Sequence, residues 1–434
     1  MSKRLIAILT FVLAVGLTAA AYAEVQNVKV SGDLLISGVS RQQFDLDKGV
    51  KGDTVNDSED MFLSQTRLRV DADLTDNVMT TIRLINERNW DEESTTNTDI
   101  DLDLAFVTLK EFLFSPLSVT VGRQELRYGN GLIIGAANTY AVATVNGVPT
   151  DLSIRKAFDG IKAVLNYDPL VVDLVYAKIN ESNNKRNEDT DLYGVNAAYA
   201  FNNKLKAEAY LWNKNNSLTD DSQNIKTIGA LVSAMPAEDL VATLEYAYQF
   251  GQSTTAGEDK QRAFALQAYV NYVFSKAKYT PMIGAKYTYL SGDKNNDDTK
   301  DTAWDAMYYD QYSSPIAFAI LPFTDVQAIS LNAGMKPTED TAISATWANY
   351  RLAESLPGGV MQSNKRDGAG TLYTYAMQTN KKDLGNEFDL MGTYDYTEDV
   401  QLGLMFGYFK PGKAFAANNR RQATELIGSM KVSF

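Results

Sequence analysis

Histidine and cysteine are absent from all 434 residues. Without cysteine there is no disulfide and no thiolate chemistry. Without histidine the usual general base, the Ser-His-Asp triad and the commonest metal ligand are gone. An enzyme built on this chain would have to work with carboxylates alone, so a non-enzymatic role is expected, with no cofactor. Positive charge is also scarce. Once Lys3 and Arg4 are set aside, 39 basic residues face 54 acidic ones, a net charge of −15. That argues against nucleic acid as a partner. Long hydrophobic runs are missing after the first residues, so no transmembrane helix is expected.

What is present begins with a leader. Lys3 and Arg4 precede an apolar run from Leu5 to Leu17, and Ala21-Tyr22-Ala23 fits the small-x-small cleavage pattern. Residues 1–23 are therefore expected to be a secretory signal and 24–434 the mature domain. The apolar core is short for a retained anchor, which is the other reading of this segment.

The mature sequence alternates. "VMTTIRLI" puts Val78, Thr80, Ile82 and Leu84 on one face against Thr81 and Arg83. "IDLDLAF" sets Ile100, Leu102, Leu104 and Phe106 against Asp101, Asp103 and Ala105. "VQLGLMFGYF" sets Val400, Leu402, Leu404, Phe406 and Tyr408 against Gln401, Gly403, Met405 and Gly407. Period-two patterning marks half-buried strands, and it suits a barrel with lipid outside and water inside.

Connections sharpen this. Eight short turns fall at Thr75-Asp76-Asn77, Ser115-Pro116, Asp168-Pro169, Asn202-Asn203, Pro236-Ala237-Glu238, Ser275-Lys276, Pro337-Thr338-Glu339 and Thr397-Glu398-Asp399. Nine longer loops alternate with them, centred near residues 52, 94, 141, 185, 219, 255, 308, 367 and 416. Eight turns and nine loops join 18 strands. Short periplasmic turns, long extracellular loops and an even strand number describe an antiparallel all-β outer-membrane barrel, which would place the protein in a bacterial outer membrane. Tyr167, Phe201, Phe274 and Tyr396 sit at or near the short turns, as an interfacial aromatic girdle should. A soluble sandwich or propeller is the alternative, but no 40-residue repeat supports a propeller.

"VTVGRQELRYGNGLIIG", Val119 to Gly135, breaks the pattern. Arg123 has the parity of Val119 and Val121, and a guanidinium facing hydrocarbon costs about 2–4 kcal/mol. Either a bulge at Gly122 turns Arg123 into the lumen, or the strand has already left the hydrocarbon zone. The following stretch, within residues 128–154, is unusually apolar for a loop. It is expected either to fold into the lumen or to pack over the rim.

Four segments carry a resemblance. "VGRQELRYGNGLIIG", "RKAFDGIKAVL" at Arg155 to Leu165, "LGNEFDLMGTYDYTEDVQLGLMFGYFKPG" at Leu384 to Gly412 and, more weakly, "RLRVDADLTDNV" at Arg67 to Val78 resemble the alginate-export family of outer-membrane proteins. The resemblance spans the mature chain in order. It implies an 18-stranded barrel that passes an anionic polysaccharide outward through an arginine-lined constriction, with Arg123 as a pore residue. The terminal strand "LIGSMKVSF", ending at Phe434, looks like the closing signal read by the barrel-assembly machinery.

Parity assigns Arg67, Arg69, Arg83, Lys162, Lys206, Lys286 and Lys336 to the lumen, together with Asp71, Asp101, Asp103, Glu208, Glu245, Glu387 and Asp389. Arg67, Arg69, Arg83, Arg123, Glu387 and Asp389 are the candidate path residues. Rings of basic side chains select anions and rings of acidic ones select cations, so this mixed lumen also fits a general or small-solute porin. Opposite charges pairing across the wall are the plainer explanation of the same residues. Two smaller features stand apart. Asp293, Asn295 and Asp297, within 293–305, could hold Ca²⁺, although the sixth-position Gly and twelfth-position Glu of an EF-hand are missing and a solvated acidic loop fits better. "IAFAILPF", Ile316 to Phe323, reads as a short helix or a strand extension above the membrane.

Overall fold

The computed structural model describes residues 27–47, 58–90, 100–137, 147–181, 189–218, 221–253, 260–294, 299–311, 313–355 and 359–434. The leader and the candidate calcium ligands Asn295 and Asp297 lie outside the described residues. In chain order the strands are β1 (Asn27–Gln42), β2 (Ser58–Thr75), β3 (Val78–Asn89), β4 (Asp101–Leu109), β5 (Leu117–Glu125), β6 (Ala157–Asn166), β7 (Leu170–Asn180), β8 (Thr190–Asn202), β9 (Leu205–Leu218), β10 (Asp221–Ala237) and β11 (Leu240–Gln252). They continue with β12 (Lys260–Val273), β13 (Met282–Leu290), β14 (Lys300–Asp301), β15 (Val326–Met335), β16 (Thr341–Leu352), β17 (Gly359–Arg366), β18 (Leu372–Met377), β19 (Asp383–Asp395), β20 (Val400–Pro411) and β21 (Ala423–Ser433). One short helix, α1 (Pro315–Ile320), precedes β15.

Eighteen of these strands close into one antiparallel barrel. β14 adds only a two-residue parallel contact to the start of β12, and β17 and β18 form a separate hairpin. Closure comes from β1 and β21, paired from Asp33↔Ser433 to Gln42↔Thr424. Phe434 extends that ladder, exchanging hydrogen bonds with Gly32 at 2.8 and 3.0 Å. A closed ring leaves no row of unpaired backbone groups, which in hydrocarbon would each cost several kcal/mol.

The period-two pattern sets the two faces. Ile82, Leu402, Leu404 and Phe406 are exposed outward, while Thr81 and Arg83 are buried inside. Tyr167, Phe201, Phe274 and Tyr396 are all exposed beside the short turns. Two sequence expectations need correction. The loop near residue 219 is not long: β9 and β10 run on to pair Leu218 with Asp221. The face assigned to β4 also switches part-way. The register slips between Arg83↔Leu104 and Leu84↔Leu102, so Asp103 is an extra residue. Ile100 and Leu102 are exposed, but Leu104 is 3 % exposed and Val107 takes over the outward face. A bulge puts two consecutive side chains, Asp103 and Leu104, on the inside.

Three long loops fold into the barrel. Leu132, Ile133 and Ile134 of the β5–β6 loop pack with Trp304, Met307 and Tyr308 of the β13–β15 loop against wall residues such as Ala177, Trp212 and Ala265. α1 and the β17–β18 hairpin pack against Ala348, Tyr350 and Phe409 of the wall. The Ile316 segment is thus a short helix, but inside the barrel rather than above the membrane.

Candidate transport pathway

The inner wall of β1–β5 carries the arginines. On β2, Arg67 forks onto Asp33 of β1 at 2.7 to 3.1 Å, and Arg69 grips Asp71 at 2.7 and 2.8 Å. On β3, Arg83 pairs with the bulged Asp103 at 2.5 Å and with Glu125 of β5. Arg155, at the end of the β5–β6 loop, pairs with Glu87 at 2.8 Å and Asp101 at 2.7 Å. Arg41 of β1 is sealed between Asp151 and Glu425. These five arginines meet eight carboxylates, so the one-sided arginine row holds no uncompensated positive charge. Arg67 and Arg69 remain partly open to the lumen, whereas Arg41, Arg83 and Arg155 are nearly closed off.

Arg123 lies elsewhere. The register through Gly122 is unbroken toward both β4 and β6, so no bulge turns the strand there. Arg123 faces Asp159, and its Nη1 donates to Asp159 at 2.8 Å. Asp159 follows the interior residue Phe158 and faces Lys178, which follows the interior residue Ala177. Strand alternation therefore sets the Arg123–Asp159–Lys178 row on the outward face. Near the strand ends that face carries further charges, with Lys178 pairing Asp189 and Asp191. The expected desolvation cost is met by an ion pair with Asp159 rather than by a turn into the pore.

The glycines after Arg123 have a packing role. Gly131 holds φ 76°, and a Cβ there would lie 2.8 Å from the Asp310 carbonyl oxygen. That close approach lets the two inward loops zip together. Tyr308 N–H donates to Ile133 O at 3.0 Å, Gly135 N–H to Tyr308 O at 2.8 Å, and Asp310 N–H to Gly131 O at 2.8 Å. The Asp310 carboxylate then receives both Arg127 and Lys156 at 2.6 Å. Arg127 is 49 % and Lys156 38 % exposed, against 15 % for Asp310. This knot carries two cations on one carboxylate, the reverse of the balance on β1–β5. Periodicity had no purchase on Lys156 or Arg155, which lie in a loop. Arg41 could have been found, because it shares the inward parity of Asp33.

Glu387 and Asp389 face inward from β19. Glu387 is spent on α1, accepting Ile316 N–H at 2.8 Å and Ala317 N–H at 2.7 Å. Asp389 lies one step further along the strand and is 6 % exposed. On the loops, Lys365 of the β17–β18 hairpin is buried over the rings of Phe318 and Tyr309, at 4.5 and 5.4 Å. Burial pulls its ammonium down to about 8, with Asp151 and Asp310 opposing. Asp325, just before β15, is pushed up to about 7 by burial.

The sequence model of the alginate-export family matches residues 36–429. The chain belongs to that family. Solved structures with similar folds include OccK3 (OpdO) from Pseudomonas aeruginosa and OccAB2 from Acinetobacter baumannii. The first gives a TM-score of 0.58 at 11% identity, over 95% of this chain and 97% of that one. The second gives 0.56 at 11%, over 95% and 99%. Pseudomonas aeruginosa OpdK, solved with vanillate, gives 0.53 at 11%, over 94% and 99%. At such identity the likeness is one of fold. No curated protein matches the chain. Within the alginate-export family, then, this barrel is an outer-membrane channel whose lumen is narrowed by its own loops.

Proposed function

We propose that the channel passes a polar, carboxylate-bearing solute, up to an extended anionic polysaccharide, between the arginine-bearing wall and the inward loops. The observation that carries this reading is the Arg127–Lys156–Asp310 knot, where two half-exposed cations share one carboxylate. Such a site raises the local anion concentration in a water-filled passage. Arg67 and Arg69 are the next partners, because an arriving carboxylate can replace Asp33 or Asp71 at little cost in a partly exposed pair. A small-solute porin is the second reading. It is favoured by the three loops packed inside the barrel, which leave less room for a polymer, and by OpdK having been solved with vanillate, a small carboxylate. In either case residues 1–23 would be removed before Glu24, and Phe434 would mark the chain for the barrel-assembly machinery.

Planar-bilayer recording tests the anion site. Changing Arg127 to Glu should move the reversal potential toward cations at low salt, and the shift should shrink in high salt as charges are screened. An unchanged reversal potential in a normally folded barrel would remove Arg127 from the path. Block by oligouronates, compared with block by a single uronic acid, then separates polymer from small solute.

A further inference from the structure

The outer wall changes character at one level of β9–β12. Asn213, Lys226, Phe250 and Arg262 stand in register across these four strands. All four point outward, because Trp212, Ile225, Gln249 and Ala263 beside them in the chain are buried inside. The short turn joining β10 to β11 lies at the far end of both strands, so this row is on the long-loop side. The next outward row toward the short turns is Leu211, Ile228, Tyr248 and Phe264. Leu211, Ile228 and Phe264 are exposed there, as a lipid-facing band requires, and Tyr248 stacks on Phe250 with centroids 6.3 Å apart. Lys226 and Arg262 therefore mark the edge of the apolar band, at headgroup height. Elsewhere on the outer face cations are matched, Arg123 by Asp159 and Lys178 by Asp189 and Asp191. Among the described residues, neither Lys226 nor Arg262 has a side-chain hydrogen bond or ion pair. Lys260, the next outward position on β12, is exposed and equally unmatched.

We propose that Lys226 and Arg262 hold the phosphomonoester headgroup of an outer-leaflet lipid, with Lys260 as a third cation. Neighbouring strands lie about 4.8 Å apart, so the two stems stand about 10 Å apart with Phe250 between them. Long basic side chains lay their stems along apolar surface and keep their charge at the water boundary, so both can converge over that ring. A phosphomonoester suits the pair because it brings nearly two negative charges and three acceptor oxygens. The Arg262 fork matches two of those oxygens, and the Lys226 ammonium meets the third as a point charge. A carboxylate carries one charge and answers only one of the two cations. The acyl chains of the same lipid then run along Leu211, Ile228 and Phe264, which continue from the site toward the membrane centre. This proposal concerns the outside of the barrel and is independent of what the lumen passes.

Native mass spectrometry of the whole barrel in detergent tests this, with diphosphorylated lipid A as the probe. Dephosphorylated lipid A controls for the acyl chains, and inorganic phosphate for a free anion. The wild type should retain the phosphorylated lipid, and changing both Lys226→Gln and Arg262→Gln should raise the half-saturating concentration roughly tenfold or more. Rising salt should weaken the wild-type binding. Lys178→Gln should leave retention unchanged, because Lys178 is already matched by Asp189 and Asp191. Arg262→Lys keeps the charge and loses the fork, so a smaller loss is expected; it also serves if the double variant assembles poorly. Equal retention by the wild type and these variants would overturn the proposal. So would equal binding of the dephosphorylated lipid, which would assign retention to the acyl chains. Displacement of the lipid by an equal concentration of inorganic phosphate would assign the site to a free anion and overturn the lipid assignment.

Discussion

Two stretches of the same inner wall solve one problem in opposite ways. On β1–β5 the inward positions include Arg67, Arg69, Arg83, Asp33, Asp71 and Asp103, held in ion pairs. On β7–β13 they include Val175, Ala177, Leu192, Trp212, Ala247 and Ala265, covered by the folded loops. The β5–β6 loop joins both regimes. Its early part, Leu132 to Ile134, sinks into the apolar wall, while its end is strapped to the polar wall by Glu87. That carboxylate is fully buried and accepts from Gln65, Ser153, Ile154 and Arg155 at 2.7 to 3.0 Å. Alternation alone creates an inside face; what lies on it decides whether that face stays wet or becomes a socket for loops.

The largest effect should come from emptying the socket. Trp212 is fully buried, and its indole lies across Gly194, where a Cβ would sit 1.8 Å from the ring. Tyr128 of the loop packs on it with ring centroids 4.8 Å apart. Trp212→Ala should weaken loop docking by about 3–5 kcal/mol and raise single-channel conductance severalfold. A conductance equal to wild type would mean the loop is held by its ionic end alone.

Breaking the polar wall should come next. Arg83→Ala strands Asp103, which is 1 % exposed, and removal of one buried partner costs about 3–5 kcal/mol at the high end. Glu125 is about half exposed and water will compensate it, so the total should fall below that of Trp212→Ala. Pairing the change with Asp103→Asn should restore most of the thermal stability, read by heat-modified gel mobility. If the double variant is no more stable than the single one, the pair is not the source of the loss.

A smaller, pH-dependent effect should appear where the loops meet. Lys365 is lowered from 10.5 to about 8 when the hairpin is docked. A depressed ammonium favours the docked state above pH 10.5, and that contribution is lost as pH falls from about 10.5 to about 8. Protease cleavage of the β17–β18 hairpin, followed in wild type and in Lys365→Met, should slow with rising pH over this window only in the wild type. Equal pH dependence in both would assign the effect to another group.

The smallest effect is expected at Arg123. It stands on the outward row with Asp159, so Arg123→Ala should leave ion selectivity unchanged while Arg127→Glu shifts it. A selectivity change at Arg123 would overturn the outward assignment and return it to the pore.

Much of this was legible in the chain itself. The alternation in "VMTTIRLI" and "VQLGLMFGYF" reports a wall with two solvents, and eight compact turns against nine loops count its strands. Each of those signals is local, because a strand's period and a turn's chemistry are set within a few residues. The inward parity of Arg67, Arg69, Arg83, Glu387 and Asp389 was readable for the same reason. The switch of faces at Asp103 was not, since a bulge is defined by the register of the neighbouring strand and leaves no residue type that announces it. Nor could sequence tell which carboxylate each arginine would meet, or that Arg127 and Lys156 would share Asp310 from 183 and 154 residues away. Those facts depend on how far three long loops descend into the barrel, and that depth is set by contacts between segments that become neighbours only when the eighteen strands close.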